Sequence, residues 1–455
     1  MGARAHATVG ENAMASTRRD FLRAAAGTST LMSLASTAPG FLMRSAGAAT
    51  PRDSRDTVLV VVQLTGGNDG LNTVVPYADD EYGRNRTTLR LPTGALHKID
   101  AHLGFHPRME AFLRLYKDGY LNIVQGVGCP NPDQDHDRAL RMWHTADPRR
   151  LQRQTGWLGR VVDRAWSPAE PDAGAVFVGP IARPFALNAE KVIVPSLRST
   201  QDLVIRDASA WGERGPPNAM HRVWGPRPRS PEDVVRGRTT YEETASDGTP
   251  NIKRDNPLLQ FLRRADSEAR AKSQRIEAVV KAAGPSGDYP SFGLARDLHT
   301  VAQLIRAEIG IRIFLVELGG GGIGGFDNHA NQLGNHCALL HQLAESVAAF
   351  IYDLKRSGQL ERVLLMTFSE FGRTVKENGR RGTDHGAAAP VFLAGGRVKG
   401  GVTGPHPSLT DLDKGALKLH TDFRRVYATV LDRWLGLDSA PVLGGRFEPL
   451  DVVEV

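Results

Sequence analysis

Residues 57–65 read TVLVVVQLT, an almost unbroken β-branched run that empties into GGNDG. A strand with one wet face alternates apolar and polar residues, so a run this uniform must be covered on both faces, as in a parallel sheet between helices. The signature returns at 121–127 (LNIVQGV), 311–318 (IRIFLVEL), 363–368 (VLLMTF) and 390–394 (PVFLA). Helical spacings fall between these runs. Met109, Phe112, Leu113 and Tyr116 share a face over 107–117, and Leu298, Ala302 and Ile305 share one over 294–310. Leu339, Leu343, Val347, Phe350 and Leu354 form a third stripe that closes at Gly358, and a late helix spans 421–435. Strands alternating with helices predict an α/β fold with a doubly wound, mostly parallel sheet flanked by helices. At 455 residues and 41% hydrophobic, the chain can build one large domain over 57–455. Residues 175–194 hold short strand-like pieces, 257–283 holds a further helical pattern, and 200–251, rich in Gly, Pro and Arg, reads as a loop-rich insertion or cap.

Residues 1–48 read as a segment apart from the fold. STRRDFL at 16–22 presents the pair Arg18-Arg19, followed by a weakly hydrophobic Ala/Ser/Thr run over 24–42 and by Ala46-Gly47-Ala48, where cleavage is expected. This predicts a twin-arginine (Tat) signal peptide, the Tat translocase as partner during export, and a periplasmic or secreted destination. Met14 is an alternative start, and a retained anchor is the alternative reading of the segment. Gly27, Pro39 and Gly40 interrupt the run, so no stable transmembrane segment is expected. Two cysteines, Cys129 and Cys337, do not make a disulfide scaffold. The net charge of +7 is spread along the chain without an aromatic-basic module, which argues against nucleic acid.

In an open α/β sheet the ligand crevice lies beyond the carboxyl ends of the strands. Asp69 follows the first strand, Asp327 and His329 follow 311–318, Glu370 follows VLLMTF, and Asp384 and His385 sit in the next loop, GTDHG. Carboxylates mixed with imidazoles suit a divalent ion such as zinc, manganese or calcium, with magnesium alone a poorer match. Each residue also has a purely structural reading: glycines that serve turns around Asp69, His329 as a satisfied polar group, Asp384 as a helix cap. GGGGIGG at 319–325 lacks the Walker lysine and the GxGxxG offsets of nucleotide sites. A second group, Asp133, Asp135, His136 and Asp137, stands at a helix start with Arg138 behind it. That is a place for an anion or for the nucleophile that attacks it, or simply a capped helix. Arg373 either clamps an oxyanion or pairs with a carboxylate.

QLTGGNDGLNTVVPY, FHPRM, GWLGR, FDNHANQ, FSEFGRTVKENG, GTDHGAAAP and LGGRF, together with the leader, resemble the bacterial domain-of-unknown-function family 1501, which is placed in the alkaline phosphatase-like superfamily. The resemblance implies a metal-dependent hydrolase of small anionic phosphate or sulfate esters. It implies Asp69 as the first-strand metal carboxylate, Asp327 and His329 as an aspartate-histidine contribution, and His385 as the late histidine ligand. Glu370 stands where the superfamily has the aspartate of an Asp-His pair. Phe371 stands where that histidine would follow, which leaves a second metal short of a ligand unless Asp384 or water substitutes. Superfamily enzymes attack with Ser, Thr or a modified Cys at a helix start. Here Asp135 precedes His136 where serine is expected, CPNPD departs from the CxPSR form, and Thr65 is the alternative. His136, Asp135 and Arg373 are the catalytic candidates, with Arg138 and Arg373 as anion holders. The rival expectation, favoured by Phe371 and the missing hydroxyl, is a metal-stabilised binding or assembly protein of the cell envelope that performs no turnover.

Overall fold

The uniform run at the start of the domain becomes strand β1, Val58–Leu64, buried along its whole length at the centre of a nine-stranded sheet. The structure is a computed structural model and describes residues 57–165, 174–203, 271, 273–282, 288–319 and 325–454. The leader, most of the insertion read over 200–251, most of the pattern at 257–283 and the middle of GGGGIGG lie outside the described residues. The chain divides into two compact units, and all described residues fall in Phe41–Val204 with Phe261–Val455.

The other strands of the sheet are β2 (Leu121–Gly128), β3 (Ala175–Val178), β4 (Ser196–Leu197), β5 (Ile313–Leu318), β6 (Val363–Phe368), β7 (Ala389–Gly395), β8 (Gly401–Thr403) and β9 (Thr421–Asp422). Their order is β8-β2-β7-β6-β1-β5-β3-β4, with β9 also on β2. β1 is parallel to both neighbours, Gln63 pairing with Glu317 of β5 and with Phe368 of β6. Within this sheet β7 alone runs against its neighbours. An apolar run carries no signature of direction, so the sequence could not single it out.

Helices cover both faces, as a strand buried on both sides requires. One face carries α2 (His136–Thr145), α3 (Trp157–Ala165) and a late helix, Phe423–Ala428, continued by a π-helical stretch, Thr429–Leu435. Trp143, Trp157 and Tyr427 pack there against Leu59, Val61 and Leu315. On the other face α1 (Glu110–Lys117) stacks Phe112 edge-on to Phe392 at 5.1 Å, beside α4 (Gly293–Ala307) and α5 (Gln332–Arg356). Among the described residues no helix is long and apolar enough to cross a membrane.

β5 and β6 flank β1 and run the same way, so the loops after all three strands open at one edge. The turn after β1 comes very close to the loop after β5. Gly66 adopts φ +113°, and a Cβ there would stand 2.6 Å from the backbone nitrogens of Phe326 and Asp327.

Leu59 is fully buried at the opposite end of β1. Leu59→Ala should cost about 2–5 kcal/mol of unfolding free energy in a urea titration. A loss under about 1 kcal/mol would contradict the core position assigned to it.

Candidate metal centre

Three imidazoles converge on one carboxylate at this edge. His136 opens α2, Asp327 and His329 lie in the loop after β5, and His385 lies in the loop between β6 and β7. The Nε2 atoms of His385 and His329 are each 3.1 Å from Asp327 Oδ1, and that of His136 is 3.5 Å away. His329 Nε2 and His385 Nε2 face one another at 2.9 Å. One ligand atom each from His136, Asp327 and His385 lie within 4.8 Å of one another.

The opposite nitrogen of every ring is committed. His136 Nδ1 is 2.9 Å from Glu370 Oε1, His385 Nδ1 is 2.5 Å from the Gln134 carbonyl oxygen, and His329 Nδ1 is 3.3 Å from Asp384 Oδ1. All three partners accept, so the proton of each neutral ring belongs on Nδ1 and the lone pair on Nε2 points inward. Neutral rings would thus aim three lone pairs at an anionic oxygen, an arrangement that needs a proton or a cation among them. His136 Nε2 is buried and has no hydrogen-bond partner. The residues present therefore fit a metal. The imidazoles of His136 and His385 and the Asp327 carboxylate, with His329 beside the last two, make a nitrogen-rich donor set that suits a zinc-type ion rather than calcium, which takes six or more oxygens.

The electrostatics agree with an anionic, cation-seeking centre. Burial works against the Asp327 charge, but hydrogen bonds from Arg373 and His385 outweigh it and bring the carboxyl down to about 2. The hydrogen bond to Glu370 raises His136 above its ordinary value near 6.5 despite partial burial.

Two further predicted residues hold the rings without facing the centre themselves. Glu370 is 2% exposed, and its Oε1 accepts from the Gly66 amide at 2.8 Å as well as facing His136. Asp384 accepts from Asn378 and orients His329.

Four other expectations need correction. Asp69 lies in a different environment: both its oxygens accept from Arg86, at 2.5 and 3.0 Å, and Gln332 Nε2 donates to Oδ2. Its carboxylate is satisfied by a buried guanidinium, which lowers its pKa against the opposing effect of burial. Asp135 caps α2, accepting from the Arg138 amide at 3.0 Å. Arg138 is exposed and paired with Asp133 at 2.6 Å. Arg373 is 2% exposed and holds no free fork for an oxyanion. Its Nε donates to the Gly67 carbonyl, its Nη1 to Thr383, and its Nη2 to Gly66, Phe326 and Asp327 Oδ1. Phe371, where a second histidine would stand, lays its ring 4.9 Å from His136 and 4.6 Å from His385 as an apolar wall.

Sequence reasoning missed Arg86, Gln332 and the Gln134 carbonyl. The one available signal was general: an acid in a loop beside a buried strand needs a counter-charge, and nothing local says which arginine supplies it.

Residues 263–445 match the DUF1501 family, described as a protein of unknown function. The matched stretch holds Asp327, His329, Glu370, Asp384 and His385, while Thr65, Asp69 and His136 precede it. No curated protein matches the chain. Among solved structures it is similar to the zinc complex of the C-terminal periplasmic domain of EcEptC from Escherichia coli (10% identity, 76% of each chain, TM-score 0.34). It is also similar to the lipoteichoic acid synthase LtaP from Listeria monocytogenes (10%, 91% of this chain and 80% of that one, TM-score 0.36). A third is the PsFucS1 sulfatase from Pseudoalteromonas sp. (11%, 94% and 74%, TM-score 0.37).

Two outcomes follow from this geometry. In metal-free protein, an NMR titration of His136 should show a midpoint above about 6.5 that falls on Glu370→Gln. Because the folded value is raised, the stabilisation is full below the unfolded value and fades as pH rises through the folded one. A midpoint unmoved by Glu370→Gln would rule out the ion pair. Asp69→Ala should strand the Arg86 charge and cost about 3–5 kcal/mol in denaturant unfolding, while metal content measured by mass spectrometry stays unchanged. Loss of metal with unchanged stability would restore Asp69 as a ligand.

Proposed function

We propose that the chain is an exported, metal-dependent hydrolase acting on small phosphate or sulfate esters. The observation that carries this reading is the convergence of three Nε2 atoms on Asp327, each ring held at Nδ1 by Glu370, Gln134 or Asp384. His136, Asp327, His329 and His385 would hold the ion, with zinc or manganese preferred over calcium for the nitrogen-rich donor set. A bound divalent cation would supply Lewis-acid polarisation of the ester's non-bridging oxygens. Glu370 keeps the His136 proton on Nδ1 and so the lone pair on Nε2. Arg373 fixes the position of Asp327 by joining it to the turn after β1. Phe371 shields the centre on one side, which strengthens electrostatic interaction with an anion. The twin-arginine pair supports export, with the Tat translocase as transient partner and the periplasm or exterior as destination.

The second reading, a metal-stabilised binding or assembly protein of the envelope without turnover, is favoured by the commitment of Arg373 and by Phe371. One experiment separates them. Purified protein is loaded with zinc or manganese and assayed on p-nitrophenyl phosphate and p-nitrophenyl sulfate. Turnover that disappears on chelation and in His385→Ala supports the hydrolase. Bound metal lost in His385→Ala, with no turnover of either ester by the parent chain, supports the binding protein. Glu370→Gln should weaken metal binding about 10–100-fold in a competition titration.

A further inference from the structure

The loop between β6 and β7 carries two arginines, Arg380 and Arg381, that take no part in holding the metal centre. It turns at residues 378–382, and its backbone is fixed against that centre. Asn378 Nδ2 donates to the His329 carbonyl at 3.1 Å and to Asp384 Oδ1 at 3.0 Å, and Asp384 is the carboxylate that orients the His329 ring. Asn378 Oδ1 accepts from the Arg380 amide at 2.9 Å and from the Gly382 amide at 3.2 Å. Gly382 is pressed on His329 so closely that a Cβ there would stand 2.3 Å from its carbonyl carbon. Arg381, one residue back, therefore stands beside a residue of the donor set.

The backbone of this pair has a structural duty, and the side chains have none. The Arg380 and Arg381 carbonyls accept from the amides of Asn331 and Gln332 at 3.0 and 2.9 Å, which closes the start of α5. Any residue could supply a carbonyl. Arg381 does so from the left-handed region, at φ +57°, where glycine would sit without the steric cost that a long side chain meets. Both arginines are exposed, and among the described residues neither guanidinium forms an ion pair. The acids nearest in sequence are already taken. Glu377 accepts from the Thr87 hydroxyl and from the Thr88 and Leu89 amides, and Asp384 from Asn378. The Asn378 bond is the main reason that the Asp384 carboxyl is held low against partial burial. The His329 bond and the Arg380 charge add to it, so that charge reaches the rim of the centre. Two uncompensated guanidiniums fixed beside a cation-seeking centre form a fork for a second negative charge on whatever anion the centre binds.

We propose that Arg380 and Arg381 form a second anion subsite, so that the esters taken at this centre carry a further phosphate or sulfate group beside the one that meets the metal. For the ester this rests on the hydrolase reading; the anion subsite rests on the loop alone.

The full metal-loaded chain is assayed on glucose 1-phosphate against glucose 1,6-bisphosphate, and on glucosamine 6-sulfate against glucosamine 2,6-disulfate, which separates the phosphate from the sulfate source. The expected result is a KM about tenfold or more lower for the doubly charged member of one pair, with the effect in KM rather than kcat. In the double variant Arg380→Gln/Arg381→Gln that preference should fall to within about twofold, and added salt should weaken it in the parent chain. Isothermal titration with benzene-1,3-disulfonate against benzenesulfonate reads the subsite without turnover. The disulfonate should bind about tenfold or more tightly, and the double variant should lose the difference. Arg381→Gly, which suits the left-handed backbone, should hold or raise the melting temperature while the preference falls. A lowered melting temperature in Arg381→Gly would give the side chain a structural duty and overturn the proposal. Equal KM values within both pairs, or a preference that survives in the double variant, overturns the subsite and leaves the hydrolase reading standing. No turnover of any ester, with disulfonate binding that depends on both arginines, overturns the hydrolase reading and supports the subsite. No turnover and no arginine-dependent binding overturns both.

Discussion

The guanidinium of Arg373 is buried at the point where three loops meet, and the arrangement of the centre depends on it. A charge out of contact with water must find full hydrogen-bonding compensation or forfeit several kcal/mol. Arg373 finds it in the carbonyls of Gly66, Gly67, Phe326 and Thr383 and in the Asp327 carboxylate. Those acceptors come from the turn after β1, the loop after β5 and the loop before β7, which gives the loops a common anchor. Of the two roles the sequence offered Arg373, oxyanion clamp or carboxylate partner, it takes the second, and the pair sets where Asp327 stands.

Around that tie the polar groups divide by what they face. His136, His329 and His385 face inward and are each held from behind by an acceptor drawn from another part of the chain. Asp69 and Arg86 satisfy one another in the interior, and Arg86 also donates to the carbonyls of Val375 and Thr374 in the loop before β7. The division follows from desolvation. A carboxylate already accepting two guanidinium bonds has little reason to meet a cation, whereas Asp327, 41% exposed and beside three imidazoles, does.

Much of this was legible before any coordinates. β1, β5 and β6 appear nearly at their expected bounds because their residues are apolar on both faces, a local property of the run. The helix carrying His136 begins where its aspartates predicted, with Asp135 as the cap. Asp327, His329, Glu370, Asp384 and His385 gather at the carboxyl edge, as their positions after strands implied. Less legible were the roles within the gathering. Glu370 and Asp384 orient rings, Asp69 is taken by Arg86, and Arg138 turns outward to Asp133.

The sequence by itself determined the layered α/β architecture, the edge at which chemistry collects and the nitrogen-and-carboxylate character of that edge, because residue type and strand-end position are local facts. Only the tertiary structure decided which acid meets the histidines, that β7 is reversed, and that the Thr65 hydroxyl donates a hydrogen bond to a glutamate 252 residues away. Those outcomes turn on strand order and on a glycine turn that brings two loops within van der Waals reach. Partners separated by hundreds of residues leave no periodicity to read, and only the accounting of buried donors and acceptors in three dimensions assigns them.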